Sequence, residues 1–386
     1  MATTAPKRGS PCSKLGRPAK GALSSFPPEI VKEVDKLKGG HTGWGAISIL
    51  DELQKLNKYP RCELPSVDSI NRYFRQKGLV ESYAKHGQFP KQRCPDAEQA
   101  HDLWEMDAQG AVLVENLGYH ANINIKDNFS LAYCMTFPVS VKNYRTQPRT
   151  IHYKYACRSS FEQFGMPKAI QVDKDSVFYE NTSKSPFPTP FHLWLQGLGI
   201  QMCIIQERPP SKQAIVERSH QTMEKQVLQD KGLKCWKELY TRCNERRERL
   251  NYHIPCSSLK GKAPLEAHPL AEYSGRPYDV KQEYELFDEE RIHQFLSSGK
   301  WYRLVSRGKT ISLGGRVYYL KKAKPRAQLE ITYSPQGREL VFCNGNNEEV
   351  GRRKIKGMTA KELIGQTTKE LKSTMYKLKY RRGFVL

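Results

Sequence analysis

The spacing of apolar residues changes at His101, and that change constrains the fold more than any other feature of this chain. Upstream, apolar residues recur at helical intervals. Downstream they form strand-like runs at 103–108, 121–125 and 131–139, followed by alternating helical and strand-like segments. A helix over 151–164 leads into Gly165-Met166-Pro167, and a strand over 169–172 delivers Asp173. A helix over 191–198, a strand over 200–205 and a long helix over 213–231 bearing Glu217 complete the series. Three strands followed by alternating helices and strands predict an α/β fold, a mixed sheet covered on both faces. At 386 residues the chain has room for further domains beside it.

Residues 1–25 carry five basic and no acidic residues among Gly, Pro, Ser and Ala, a composition that predicts a disordered basic arm. Gly16-Arg17-Pro18 within it is similar to the core of a minor-groove AT-hook; a solvated tail is the plainer reading. Pro27-Pro28 opens a helix with Ile30, Val31, Val34 and Leu37 on one face, closed by Gly39-Gly40. A second helix, 44–56, presents Trp44, Ile47, Leu50, Leu53 and Leu56. A third starts at Ser66 as N-cap and stops at Gly78. With Val67, Ile70 and Phe74 inward, Ser69, Arg72 and Arg75 face out, as a recognition helix in a major groove requires. We therefore expect an all-α helix-turn-helix domain over 26–80 and a linker over 81–99. Beyond the α/β core at 100–270, a linker with a helix spans 271–299. Short strands from Trp301 then predict a small SH3-like β-barrel over 300–365, before a basic tail at 366–386.

Sixty-three Lys and Arg against 40 Asp and Glu leave a net charge of +23, which favours a polyanionic partner held in a salt-dependent way. Charge alone fits a binding protein with no chemistry equally well. The ten cysteines form no C-x-x-C pair and read as reduced thiols of an intracellular protein. Residues 1–20 contain no apolar signal region, and no apolar run is long enough to span a membrane, so the expected location is cytoplasmic.

Three carboxylates stand in separate settings: Asp107 in Trp104-Glu105-Met106-Asp107, Asp173 in Val172-Asp173-Lys174-Asp175-Ser176-Val177-Phe178, and Glu217 in Ala214-Ile215-Val216-Glu217-Arg218. Singly each is weak, since an Asp after a strand often only forms a turn and a helix-starting Glu beside Arg is often a surface pair. Together they could converge at the mouth of the sheet. Carboxylates are the ligands that hard Mg²⁺ prefers, and two such ions can drive an in-line phosphoryl transfer.

These residues resemble the catalytic core of retroviral integrases and of the DDE transposases of bacterial insertion sequences. The matching pieces are Trp104-x-x-Asp107, Phe164-Gly165-x-Pro167, Asp173-x-x-Ser176-x-Phe178, Leu198-Gly199-Ile200 and Val216-Glu217-Arg218. Asn251-Tyr252-His253-Ile254-Pro255 and the Pro264-Leu265-Glu266-Ala267 ending are also similar, and the likeness runs over roughly residues 40–365. The resemblance implies a ribonuclease H-like core in which Asp107, Asp173 and Glu217 hold two Mg²⁺ ions, Mn²⁺ substituting. It implies an enzyme that cleaves DNA at element ends and joins them to target DNA, working as a homo-oligomer on double-stranded DNA and associated with the nucleoid. Lys212, Arg218 and Lys225 flank the Glu217 helix as candidate phosphate contacts. The chain departs from the family pattern in a longer interval between Asp173 and Glu217, with an insertion around Asn181 to Pro190. Asp175 replaces a usual Gly and could compete with Asp173, and Ala214 also replaces a Gly. No retroviral His-His-Cys-Cys zinc module is visible. The rival readings are a domesticated DNA-binding protein that no longer cuts and a ribonuclease H-like nuclease acting on hybrids or junctions.

Overall fold

The computed structural model describes residues 21–41, 43–79, 86–92, 94–205 and 214–365, in two compact units that divide between Ala84 and Lys85. Gly16-Arg17-Pro18, Lys212 and the basic tail lie outside the described residues.

The first unit contains α1 (Pro28–Gly40), α2 (Ala46–Lys55) and α3 (Val67–Gln76). Pro28 starts α1 because its fixed φ suits the first turn, where no N–H is needed. Ser66 caps α3, its Oγ accepting the Ser69 N–H at 3.2 Å. Ile30 and Val34, Ala46, Ile49 and Leu53, and Ile70, Tyr73 and Phe74 form one core. Tyr73 donates its hydroxyl to Asp35 at 2.9 Å, tying α3 to α1. Two expectations are corrected here. Ile47 is 73 % exposed, because a ladder of i+3 steps drifts around a helix of 3.6 residues per turn; Ala46, Ile49 and Leu53 carry the inner face. Leu23, expected in the disordered arm, is buried, and the neighbouring Ala22 N–H donates to Gln76 Oε1 at 2.8 Å.

The second unit is built on a mixed sheet of β1 (Leu103–Ala108), β2 (Val112–Val114), β3 (Gly118–Asp127), β4 (Tyr133–Ser140), β5 (Ala169–Val172) and β6 (Gln201–Ile204). Short connections make β1, β3 and β4 antiparallel. The crossovers through α4 (Thr150–Phe164) and α5 (Pro190–Gly197) make β5 parallel to β1 and β6 parallel to β5. The order is β4-β3-β1-β5-β6, with β2 also paired to β3, and it fits the ribonuclease H-like core that the resemblance implies. Side chains alternate across this sheet. Trp104, Met106, Ala121, Ile123 and Ile125 enter the main apolar core, where Trp104 meets Phe161 and Met106 meets Cys157 of α4. The opposite alternation, Glu105, Asp107, Asn122, Asn124 and Lys126, is polar and lies under α6 (Ala214–Met223). After α6 come α7 (Trp236–Tyr252), α8 (Pro264–Ala267), α9 (Glu283–Leu286) and α10 (Glu289–Ser297).

The C-terminal strands are β7 (Lys300–Leu304), β8 (Thr310–Leu313), β9 (Arg316–Tyr319), β10 (Gln328–Ser334), β11 (Glu339–Cys343) and β12 (Glu349–Lys354), followed by α11 (Ala360–Ile364). They form an antiparallel sheet, β12-β11-β10-β7, and a β8-β9 hairpin. Gly314 and Gly315 at the hairpin tip both have positive φ, and a Cβ on Gly314 would come within 2.8 Å of the Phe187 ring. Trp301 is fully buried and donates its indole N–H to Pro186 O at 3.0 Å, so the sheet sits on the 180–190 segment, where the sequence suggests an insertion. The thiols expected to be reduced include one pair that is not: Cys94 and Cys203 form a disulfide that joins the segment before β1 to β6. Among the described residues no helix is long and apolar enough to cross a membrane.

Candidate active site

β1 carries Asp107 near its carboxyl end, and β5 ends one residue before Asp173. The parallel register pairs Glu105 with Gln171. Continued by two residues, it sets Asp107 level with Asp173, at the strand ends where open α/β sheets form their crevices. Tyr153 of α4 is buried beside them, its ring edge-on to Phe178 at 4.8 Å. Burial, and then the charges of Asp175, Asp107 and Asp173, push its hydroxyl far above the usual tyrosine range. One hydroxyl therefore lies within electrostatic reach of all three aspartates.

Asp175 is committed to its turn. Its Oδ1 accepts the Val177 N–H at 2.8 Å, and its carbonyl accepts the N–H groups of Phe178 and Tyr179 at 2.9 and 2.8 Å. Its own N–H donates to Asp173 Oδ1 at 2.9 Å.

Glu217 lies exposed in the first turn of α6, and two side chains of the polar sheet face hold that helix to β1. Glu105, buried, accepts the Val216 N–H on Oε2 at 3.2 Å and the Asn128 amide on Oε1. Burial raises the Glu105 carboxyl above its ordinary value, and the charge of Glu217 adds to this against the opposing N–H donors and Lys126. Lys126, opposite Glu105 in the β1–β3 register, lies over the Tyr133 ring at 4.1 Å, and burial pulls its ammonium down to about 8. One turn beyond Glu217, His220 places Nε2 3.1 Å from Asp107 Oδ2 and Nδ1 2.9 Å from the Asn124 amide nitrogen. The Asn124 oxygen already accepts from Asn122 at 2.8 Å. Asn124 thus donates to Nδ1, which leaves the imidazole proton on Nε2, pointed at Asp107.

As a seat for a divalent cation, the half-buried Asp107 and Asp173 supply level, hard oxygen donors, and that chemistry suits Mg²⁺. Among the described residues no three His, Cys, Asp or Glu side chains stand close enough together to hold an ion. The strand register sets the two aspartates level, and Glu217 stands on the helix anchored to β1. Sequence reasoning missed Glu105, His220, Asn124 and Tyr153. The alternation Asn122, Asn124, Lys126 against Ala121, Ile123, Ile125 was the available clue, since a strand with one polar and one apolar face so deep in a sheet needs a polar cover.

Of the candidate nucleic-acid contacts, Arg72 and Arg75 are exposed on α3, and Arg75 Nε donates to the Asn71 carbonyl at 3.2 Å. Ser69 is half-buried, its hydroxyl 3.0 Å from that of Ser66. Arg218 on α6 and Lys225 in the π-turn at Glu224–Leu228 are exposed.

No family model matches the sequence. Among solved structures, the chain is similar to the HTLV-2 integrase catalytic core domain in complex with magnesium: 15 % identity, 44 % of this chain and 98 % of that one, TM-score 0.33. It is also similar to a chain of the simian T-cell lymphotropic virus intasome in complex with the PP2A regulatory subunit B56 gamma, at 12 % identity over 78 % of this chain and 89 % of that one, TM-score 0.35. At these identities and scores, neither likeness says what this chain does.

Proposed function

We propose that this protein is a DDE-type DNA transposase or integrase that binds element ends, cuts DNA there and joins it to target DNA. The observation that carries the reading is the level placement of Asp107 and Asp173 at the ends of adjacent parallel strands, with the helix of Glu217 fastened across the first of them. Asp107, Asp173 and Glu217 would hold Mg²⁺. Two such ions would activate the attacking oxygen and neutralise charge on the leaving one. Around them, His220 orients Asp107, the Asp175 turn fixes Asp173, and Arg218 and Lys225 offer charge to a phosphodiester backbone, as Lys212 would. The three-helix unit would act as a helix-turn-helix reader through Arg72 and Arg75, and the C-terminal sheet and hairpin as a small barrel. Joining two ends at a fixed spacing needs two such sites, hence a homo-oligomer on DNA. An insertion-sequence origin and association with the nucleoid belong to the same reading.

One observation favours the rival, a DNA-binding protein that no longer cuts: the three acids do not close into a ligand set among the described residues. One assay separates the two. Purified full-length protein with a duplex carrying the DNA that flanks its gene should nick that duplex in Mg²⁺ and not in EDTA. Binding without nicking in either Mg²⁺ or Mn²⁺ would leave the rival standing.

A further inference from the structure

The polar face beneath α6 holds a carboxylate that the reaction does not require. Glu105 is 2 % exposed, and a buried carboxylate is costly unless each oxygen is satisfied. Both oxygens are. Oε1 takes the Asn128 amide and Oε2 takes the Val216 N–H, while Lys126 stands opposite on β3. The Val216 N–H is one of the first amides of α6, which no carbonyl within the helix can satisfy. An anion there also meets the positive end of the helix dipole. Among the described residues, the hydrogen bond that anchors the first turn of α6 comes from the sheet.

On the strand, Glu105 and Asp107 are two residues apart and share one face. On the helix, Val216 and Glu217 are adjacent. A single hydrogen bond therefore links the strand of one proposed ligand to the residue beside another. We infer that Glu105 is a positioning residue: it fixes the first turn of α6 against β1 and so sets where the Glu217 carboxylate stands relative to Asp107. Its place is beneath α6, 2 % exposed with each oxygen turned to an N–H donor, and not with the half-buried Asp107 and Asp173. The inference rests on the function proposed above only for what Glu217 does. The anchoring itself can be measured with no metal and no DNA.

Two substitutions separate positioning from the alternatives. Glu105→Met keeps the volume and removes both acceptors. Glu105→Gln keeps one acceptor for Val216, and Asn128 can turn its amide to receive the new N–H₂ group. In the metal-free full-length protein, amide hydrogen exchange over 214–219 should be about tenfold faster in E105M, the loss of one charge-assisted hydrogen bond, with β1 and β3 unchanged. In E105Q it should stay within about threefold of wild type. Given nicking activity, E105M should raise the Mg²⁺ concentration for half-maximal rate, and E105Q should largely restore it. If E105M does not fold, Asn128→Ala releases Oε1 without touching the Val216 bond and should loosen the same amides severalfold. Unchanged exchange in the folded variants overturns the inference. So does equal inactivity of E105M and E105Q with exchange as in wild type, which would make Glu105 a ligand. Faster exchange in E105M, with no nicking by any protein including wild type, would keep the positioning role and remove the proposed function.

Discussion

Asp173 and Asp175 stand two residues apart and do different things. Asp175 Oδ1 accepts the Val177 N–H inside the turn, whereas Asp173, whose Oδ1 accepts the Asp175 N–H, follows the end of β5 level with Asp107. Asp107→Asn, Asp173→Asn and Glu217→Gln should therefore each lower Mg²⁺-dependent nicking about a thousandfold or more. That is the scale of several kcal/mol of charge stabilisation at about 1.4 kcal/mol per tenfold. DNA binding in gel shifts should stay near wild type. Asp175→Ala should keep nicking within a few-fold and lose about 1 kcal/mol of stability, as removal of a capping side chain does. An inactive Asp175→Asn beside an active Asp173→Asn would exchange the two assignments. The places of Asp107 in β1 and of Asp173 just after β5 were legible in the sequence, because apolar strand residues precede each. Glu105 was not, because nothing in Trp104-Glu105-Met106-Asp107 tells a buried partner of α6 from an exposed one until the sheet face is known.

At the scale of elements, legibility followed apolar patterning. The runs at 103–108 and 169–172 have the bounds of β1 and β5, and Ser66 caps α3 as its sequence predicts. β12, Glu-Val-Gly-Arg-Arg-Lys, carries too few apolar residues to announce itself and forms only because β11 offers it an edge. The Cys94–Cys203 pair is equally silent, since the two lie 109 residues apart in sequence. On α3, burial of Ile70, Tyr73 and Phe74 leaves Arg72 and Arg75 exposed. Alanine at either should cost about 1–3 kcal/mol and relax specificity if it reads a base, and weaken all sequences alike if it meets a phosphate. Footprinting on the flanking DNA distinguishes these, and no protected sequence at all would remove α3 as the reader. α5 carries a second testable residue. His192 is buried between Phe89 and Phe295, ring centroids 5.6 and 4.8 Å away, and burial alone pulls it down to about 3. Its folded value is below its unfolded one, so the unfolded chain binds the extra proton between about pH 6.5 and 3. Stability should fall with acidification through that window, by an amount on the order of a few kcal/mol at its lower end. Melting temperatures of His192→Phe should fall less steeply with pH than those of wild type, and parallel curves would rule His192 out as the sensor.

The whole molecule divides differently from a string of three domains. Residues 21–79 possess their own core, with Ile30, Ile49, Leu53, Ile70 and Phe74 fully buried in it. The C-terminal strands do not stand apart from the mixed sheet in this way. Lys300 exchanges backbone hydrogen bonds with Gln88 at 2.7 and 2.8 Å, Arg303 pairs with Glu180 at 2.8 Å, and Trp301 fills a site closed by Phe187. At the far end, Lys154 and Arg158 of α4 grip the last carbonyls of α11, where a cation meets the negative end of a helix. Arg158 in turn is paired with Glu283 at 2.8 Å, and that carboxylate also accepts the Trp194 indole N–H at 2.7 Å. Removing 300–386 thus strips buried partners from the mixed sheet as well as deleting strands. Loss of a Trp as deeply buried as Trp301 costs about 3–5 kcal/mol by itself, a large part of the stability of an ordinary domain. A fragment spanning 21–79 should therefore melt cooperatively on its own, marginal though a unit of that size is. A fragment spanning 86–299 should melt well below the full chain or fail to fold, and Trp301→Ala in the full chain should already lower the melting temperature of the second unit. If the 86–299 fragment melts where the full chain does, the C-terminal strands are a separable module, and their contacts with Gln88, Glu180 and Pro186 contribute nothing to the core.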